Sequence, residues 1–173
     1  LLRAVNLGAR NKVPMPALRE RLTAVGFADV RTYVQSGNLV VSSRHRSPQA
    51  VAQAVATVVR DDFGVGEPVV VRTAEQIDDL VAGNPFSQAA MDRPKQLHVM
   101  FLMGRPDPAG VEAIHADALT REVCQVSGEH LYIDFRDGVH GSRLTGAYFA
   151  KRLGVDGTAR NWRTVLALAD LAR

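Results

Sequence analysis

The polar residues with the means to do chemistry fall in a few tight clusters. Arg3 and Asn6 stand in the opening stretch, Asn11 and Lys12 in the loop after it, and Gln35, Ser36 and Asn38 in a single turn. Ser142 and Arg143 close a glycine-rich connection, and Arg160 and Asn161 lead into Trp162. This set is rich in cations and amides and contains no carboxylate, a composition suited to gripping an anion rather than hydrolysing a bond. In Gly138-Val139-His140-Gly141-Ser142-Arg143 the glycines admit close approach of backbone N–H groups, and the start of the helix expected behind them favours negative charge. The spacing is not GxxxxGK[ST], which disfavours nucleoside triphosphate binding by that mode. The plainer alternatives are a connection capped by Ser142, and Asn6 and Asn38 satisfying turn backbone.

Conventional catalytic signatures are sparse. Asp134, Asp137 and His140 lie around one loop and read either as an acid–base group or as a solvated loop. The five histidines lack HExxH or any other ligand spacing, so no metal or cofactor is expected. Cys124, the sole cysteine, falls in an expected strand, where a small apolar side chain is the alternative to a nucleophile. One cysteine excludes an internal disulfide and points to a reducing, cytoplasmic setting.

These clusters need elements to position them. Leu1–Leu7 is expected as a strand and Pro14 and Pro16 open a helix with an inward stripe of Leu18, Leu22 and Val25, ended by Gly26. Arg31–Val34 and Leu39–Val41 flank Gln35-Ser36-Gly37-Asn38 as a hairpin. Ser47 caps a second helix that stops at Gly64, and Pro68–Val71 supplies another strand, giving βαββαβ, the ferredoxin-like order. A short helix is expected over Ala74–Ala82 and a joint over Gly83–Pro94. The plan then repeats: strand Leu97–Met103, a helix from Asp107 or Pro108 through Ile114 to Ala118, a hairpin of Glu122–Val126 and His130–Phe135, and a helix Ser142–Leu153. No closing fourth strand is evident, and Asn161–Ala172 reads as an amphipathic helix with Trp162, Val165, Leu166 and Ala169 inward. The expected fold is α+β, with tandem ferredoxin-like subdomains over residues 1–83 and 84–173.

Composition agrees with a packed globular chain: 46% of residues are hydrophobic and 23% charged. No apolar run nears the roughly 18 residues of a membrane span, so no membrane partner is expected. The net charge of +3 is lopsided: residues 1–46 carry eight basic groups against two acidic, and residues 136–173 seven against three. The middle is acidic.

The blocks LLRAVNLGARNKVPMPALRERL, TYVQSGNLVVSS, NPF at Asn84–Phe86, KQLHVMFL, SRLT and TARNWRTV resemble a bacterial family catalogued as domain of unknown function 1697. The resemblance runs nearly end to end and implies an α+β fold with ferredoxin-like subdomains and no established activity. Ala4 and Ala9 stand where that family's pattern has glycines, and Arg143 where it has lysine. Three readings follow. The chain binds a phosphate-bearing ligand, nucleic acid or nucleotide, in a basic cleft where its first strand, first hairpin and last helix converge. Alternatively it is an enzyme clamping a small anion with Arg3, Lys12, Arg143 and Arg160. In the third, its polar blocks merely hold turns and cap helices. An RNA-binding sheet finds little support, with Tyr33 the lone candidate aromatic in the first half and no RNP1-like string. Oligomeric state is left open.

Overall fold

The computed structural model describes residues 1–8, 10–116 and 121–173, with the backbone alone for 115 and 116. Ala9 and Ala118 lie outside them. The chain divides into two compact units, residues 1–77 with 167–173, and residues 78–166.

In the first unit, helix α1 (Met15–Ala24) starts beside Pro14 and buries Met15, Leu18 and Leu22. Val25, expected on that stripe, is instead 53% exposed, because it is the C-cap. Gly26, at φ +98, turns the chain so that Phe27 N–H reaches the Leu22 carbonyl. This Schellman closure puts the Phe27 ring into the core in place of Val25. Strands β1 (Ala28–Tyr33) and β2 (Asn38–Ser42) form the expected antiparallel hairpin, pairing Tyr33 with Asn38 and Thr32 with Leu39. Helix α2 (Pro48–Phe63) is capped by Ser47, which accepts the Ala50 N–H, and ends at left-handed Gly64. Val55, Val58 and Val59 join Leu18, Leu22 and Phe27 in one core.

The expected strands Leu1–Leu7 and Pro68–Val71 are corrected to irregular chain joined by a single antiparallel bridge, Leu2 with Val69. Ala4 and Asn6 adopt φ +49 and +55, left-handed conformations that break the two-residue alternation of a strand.

Helix α3 (Ala74–Ala82) runs from the first unit into the second, and the expected joint beyond it holds a short helix, α4 (Ser87–Asp92). Strand β3 (Leu97–Leu102), helix α5 (Pro108–Ala116), strands β4 (Val123–Ser127) and β5 (His130–Asp134), helix α6 (Gly146–Leu153) and strand β6 (Gly157–Asn161) follow. The sheet order is β4-β5-β3-β6 with every neighbour antiparallel. The fourth strand that the sequence reading left out is therefore present: β6 pairs with β3, setting Val99 against Arg160 and Met100 against Ala159. One sheet face packs Met100, Leu131 and Ile133 with Ile114, Phe149 and Leu153 from α5 and α6. On the other face Val99, Phe101 and Tyr132 are also buried, and the Tyr132 hydroxyl donates to the Leu80 carbonyl at 2.8 Å. Gly110 of α5 lies against the backbone of Arg152 so closely that a Cβ would run into the Arg152 carbonyl oxygen.

Helix α6 begins four residues after the expected start at Ser142: its cap is Thr145, which accepts the Tyr148 N–H. The last helix, α7 (Trp162–Ala172), buries Trp162, Val165 and Ala169, whereas Leu166 is 39% exposed. Among the described residues no helix is long and apolar enough to cross a membrane.

Candidate functional site

Seven of the eleven residues singled out in the sequence gather in the first unit, around the N-terminal loop and the hairpin turn. Asn6 ties them together. Its Nδ2 donates to the carbonyls of Val13 at 2.9 Å and Gln35 at 2.7 Å, and its Oδ1 accepts the Val13 N–H at 2.9 Å. Asn11 Nδ2 donates back to the Ala4 carbonyl, and the Leu2 N–H reaches the Gly37 carbonyl. Gly37 sits at φ +74, and a Cβ there would lie 2.6 Å from Leu2 Cβ and Val5 Cγ2. Asn38 is fully buried and donates to the Tyr33 carbonyl and the Ser36 hydroxyl. The three asparagines thus hold the backbone of loop and turn.

The charged members face outward. Lys12, Gln35 and Ser36 are exposed, as is Arg10, two residues before Lys12 in the loop. Arg3 is half-buried and paired with Glu67 at 3.2 Å. Loop and turn are stiff for their length: Ala4, Asn6, Asn11 and Val34 all have φ near +50, conformations costing non-glycine residues about 1–3 kcal/mol each that persist only where surroundings enforce them. This unit also carries the positive charge, eleven basic residues against seven acidic, while the second has ten against eleven.

The other four residues lie in the second unit. Ser142 and Arg143 border a cleft of about 410 Å³ with Arg121, Glu122, Asp137 and His140. Ser142 Oγ donates to Glu122 at 2.5 Å and accepts the Leu144 N–H, so it closes a turn rather than capping α6. Arg121 pairs with Asp137 at 3.4 Å, which leaves the cleft mixed in sign. Arg160, on β6, is 9% exposed and donates to the Thr158 hydroxyl and the Ala159 carbonyl. Burial pulls its guanidinium down to about 10. Asn161 Oδ1 accepts the Thr164 N–H and so caps α7. Among the described residues no buried side-chain nitrogen or oxygen lacks a partner.

The acid–base candidates separate. Asp134 is buried and held by Arg93 through paired bonds of 2.9 and 2.5 Å, whereas Asp137 is exposed on the cleft. Burial, with the Glu122 charge adding to it, pushes the Cys124 thiol up to about 12, which removes the thiolate a nucleophile needs near neutral pH. Among the described residues no group of three or more His, Cys, Asp or Glu is placed to hold a metal ion.

A second cavity, of about 360 Å³, opens in the first unit between β2, the start of α2, residues 69–74 and the end of α7. His45, Arg46 and Arg72 stand among its lining residues. None of the three was singled out in the sequence. The only signal was Arg44-His45-Arg46 immediately before the Ser47 cap.

Residues 1–132 match the family model described as protein of unknown function, DUF1697. The chain belongs to this family. No curated protein matches it. Among solved structures, the conserved bacterial protein SP0830 from Streptococcus pneumoniae is similar over 100% of this chain and 96% of its own, with 21% identity and a TM-score of 0.64. At that identity the likeness speaks for the fold alone. Ala4 holds a left-handed φ of +49, a place where a residue without Cβ is least strained.

Proposed function

We propose that this protein is a cytoplasmic binding protein for a phosphate-bearing ligand, nucleic acid or nucleotide, received on the first unit by the cations of the N-terminal loop. One observation carries the reading: the amides of Asn6, Asn11 and Asn38 lock the loop and hairpin turn, while Arg10 and Lys12 point out from that frame. Rigid presentation lowers the ordering entropy that a ligand must overcome. The surplus of cations in this unit draws phosphate toward it. The reading divides the sequence-predicted set by role. Asn6, Asn11, Asn38, Arg160 and Asn161 shape the fold; Lys12, with Gln35 and Ser36 beside it, meets the ligand; Arg3 supports the loop through Glu67. Ser142 and Arg143 form a lesser polar cleft whose carboxylates oppose an anion. For the fold, the strand order of the second unit supports a ferredoxin-like subdomain, and the Leu2–Val69 bridge supports the first unit as a reduced version of the same plan.

The test is fluorescence anisotropy with short single- and double-stranded DNA and RNA at about 50 and 200 mM salt. Binding is expected to weaken steeply with salt, and Lys12→Ala and Arg10→Ala to lower the salt slope by roughly 0.7–0.9 per lost phosphate contact. The melting temperature should stay unchanged. Absence of binding at about 100 μM, the weak edge of nonspecific affinity, overturns the nucleic-acid form of the reading. Thermal shift with nucleoside monophosphates tests the nucleotide form, and no shift overturns that as well.

A further inference from the structure

The cavity in the first unit has a chemistry of its own. Its volume of about 360 Å³ is that of a small-ligand pocket. The walls are aliphatic: Leu39, Val41, Val51, Val55, Val69 and Ile77 all line it. Val55 and Ile77 belong to the buried interior, so the space reaches inward instead of skimming the surface. Beside the hydroxyls of Ser43, Ser47 and Thr73, the charged side chains of the lining are arginines. Arg46 comes from the approach to α2, Arg72 from the chain leading to α3, and His45 stands beside Arg46. Arg72 is steadied by a bond from Nη1 to the Val71 carbonyl at 2.9 Å. Among the described residues lining the cavity there is no aspartate or glutamate and no Phe, Tyr or Trp.

Those two absences narrow the ligand. Aliphatic walls reward an alkyl body by about 0.8 kcal/mol per buried methylene, and they offer a nucleobase no aromatic ring to stack on. With no aspartate or glutamate in the lining, the cavity favours an anion, and guanidinium groups bind carboxylate and phosphate through charge-assisted bonds. We infer that this cavity is a binding site for an aliphatic anion, an alkyl chain with a carboxylate or phosphate head set against Arg46 and Arg72. This site is separate from the proposed ligand surface of the N-terminal loop and does not depend on it.

Isothermal titration calorimetry of the whole chain with decanoate, decyl phosphate, decanol, inorganic phosphate and adenosine monophosphate tests this. The expected result is saturable binding of at least one of the two decyl anions, with decanol weaker by about tenfold or more, as befits the loss of one charge-assisted contact. Whichever anion binds more tightly identifies the head. Inorganic phosphate and the nucleotide are expected to leave decyl-anion binding undisturbed. Arg46→Glu, at an exposed position, should weaken the anions about tenfold or more while sparing decanol. Ala74→Phe, an exposed lining residue at the start of α3, should weaken all three decyl compounds. Equal affinity for decanol and the anions, competition by the nucleotide, indifference to either substitution, or no binding of the anions at about 1 mM overturns the inference.

Discussion

Replacing Asn6 with alanine separates scaffold from binding surface, and its size can be worked out. Asn6 makes three side-chain bonds, to Val13 N–H, to the Val13 carbonyl and to the Gln35 carbonyl. Val13 is fully buried, so its two groups cannot turn to water, and each unsatisfied group costs about 1–3 kcal/mol. The Gln35 carbonyl is exposed and recovers a water, contributing little. Alanine at φ +55 adds about 1 kcal/mol, since asparagine tolerates the left-handed region better. The sum is a loss of about 3–7 kcal/mol, a large part of the roughly 5–15 kcal/mol of a native domain. Urea unfolding followed by circular dichroism reads this as a fall in midpoint at constant slope. Asn6→Gly, which removes the bonds but not the permitted backbone, should be milder than Asn6→Ala by about 1 kcal/mol. A loss below about 1 kcal/mol for Asn6→Ala would refute the claim that this amide holds the loop; equal losses for alanine and glycine would refute the backbone part alone.

Three further outcomes follow from named contacts. Ala4→Gly relieves a left-handed alanine at φ +49 and should raise stability by about 0.5 kcal/mol after the greater freedom of glycine in the unfolded chain is subtracted, a small rise in melting temperature. Gly110→Ala should lower stability by about 1–2 kcal/mol, because a Cβ against the Arg152 carbonyl forces α5 and α6 apart, more than offsetting the roughly 1 kcal/mol that alanine gains over glycine in a helix; a stabilised variant in thermal melts would refute the close approach. Burial, only partly countered by the Gln96 carbonyl, holds His98 below its ordinary 6.5. The unfolded chain therefore takes up that proton first, so stability is full above about pH 6.5 and falls as the pH drops toward the folded value. His98→Gln should flatten that part of a melting-temperature profile, and an unchanged profile would remove His98 as the cause.

Legibility in the sequence followed how local the deciding force was. Helix α2 was readable at both ends because Ser47-Pro48 and Gly64 act on their own neighbours. Helix α6 was expected to be capped by Ser142, but Ser142 bonds Glu122 across the cleft and the cap is Thr145. Strand β6 is only Gly-Thr-Ala-Arg-Asn, too short and polar to announce itself, and its partner β3 lies some sixty residues earlier. The opening segment carries the apolar content of a strand, yet tertiary bonds from Asn6 and Asn11 hold it left-handed. The clusters themselves were visible by residue type. Which members hold backbone was not, since asparagine holding a carbonyl and asparagine facing water look alike in a string. The cationic part of the cavity lining was hidden for a simpler reason: Arg46 and Arg72 are far apart in the chain and come to line one cavity only through folding.

The first unit takes residues 1–77 and then residues 167–173, so it is discontinuous along the chain. During synthesis its main body emerges early, while Leu168 and Ala172, which wall the aliphatic cavity, emerge about ninety residues later, after the whole second unit. At about 5–20 residues per second the cavity stays unwalled on the nascent chain for roughly 5–20 s. A ribosome stalled within the second unit would therefore display a first unit with its valine and leucine wall open to solvent, a state prone to association. A truncation that removes Leu168 and everything after it would make that state permanent.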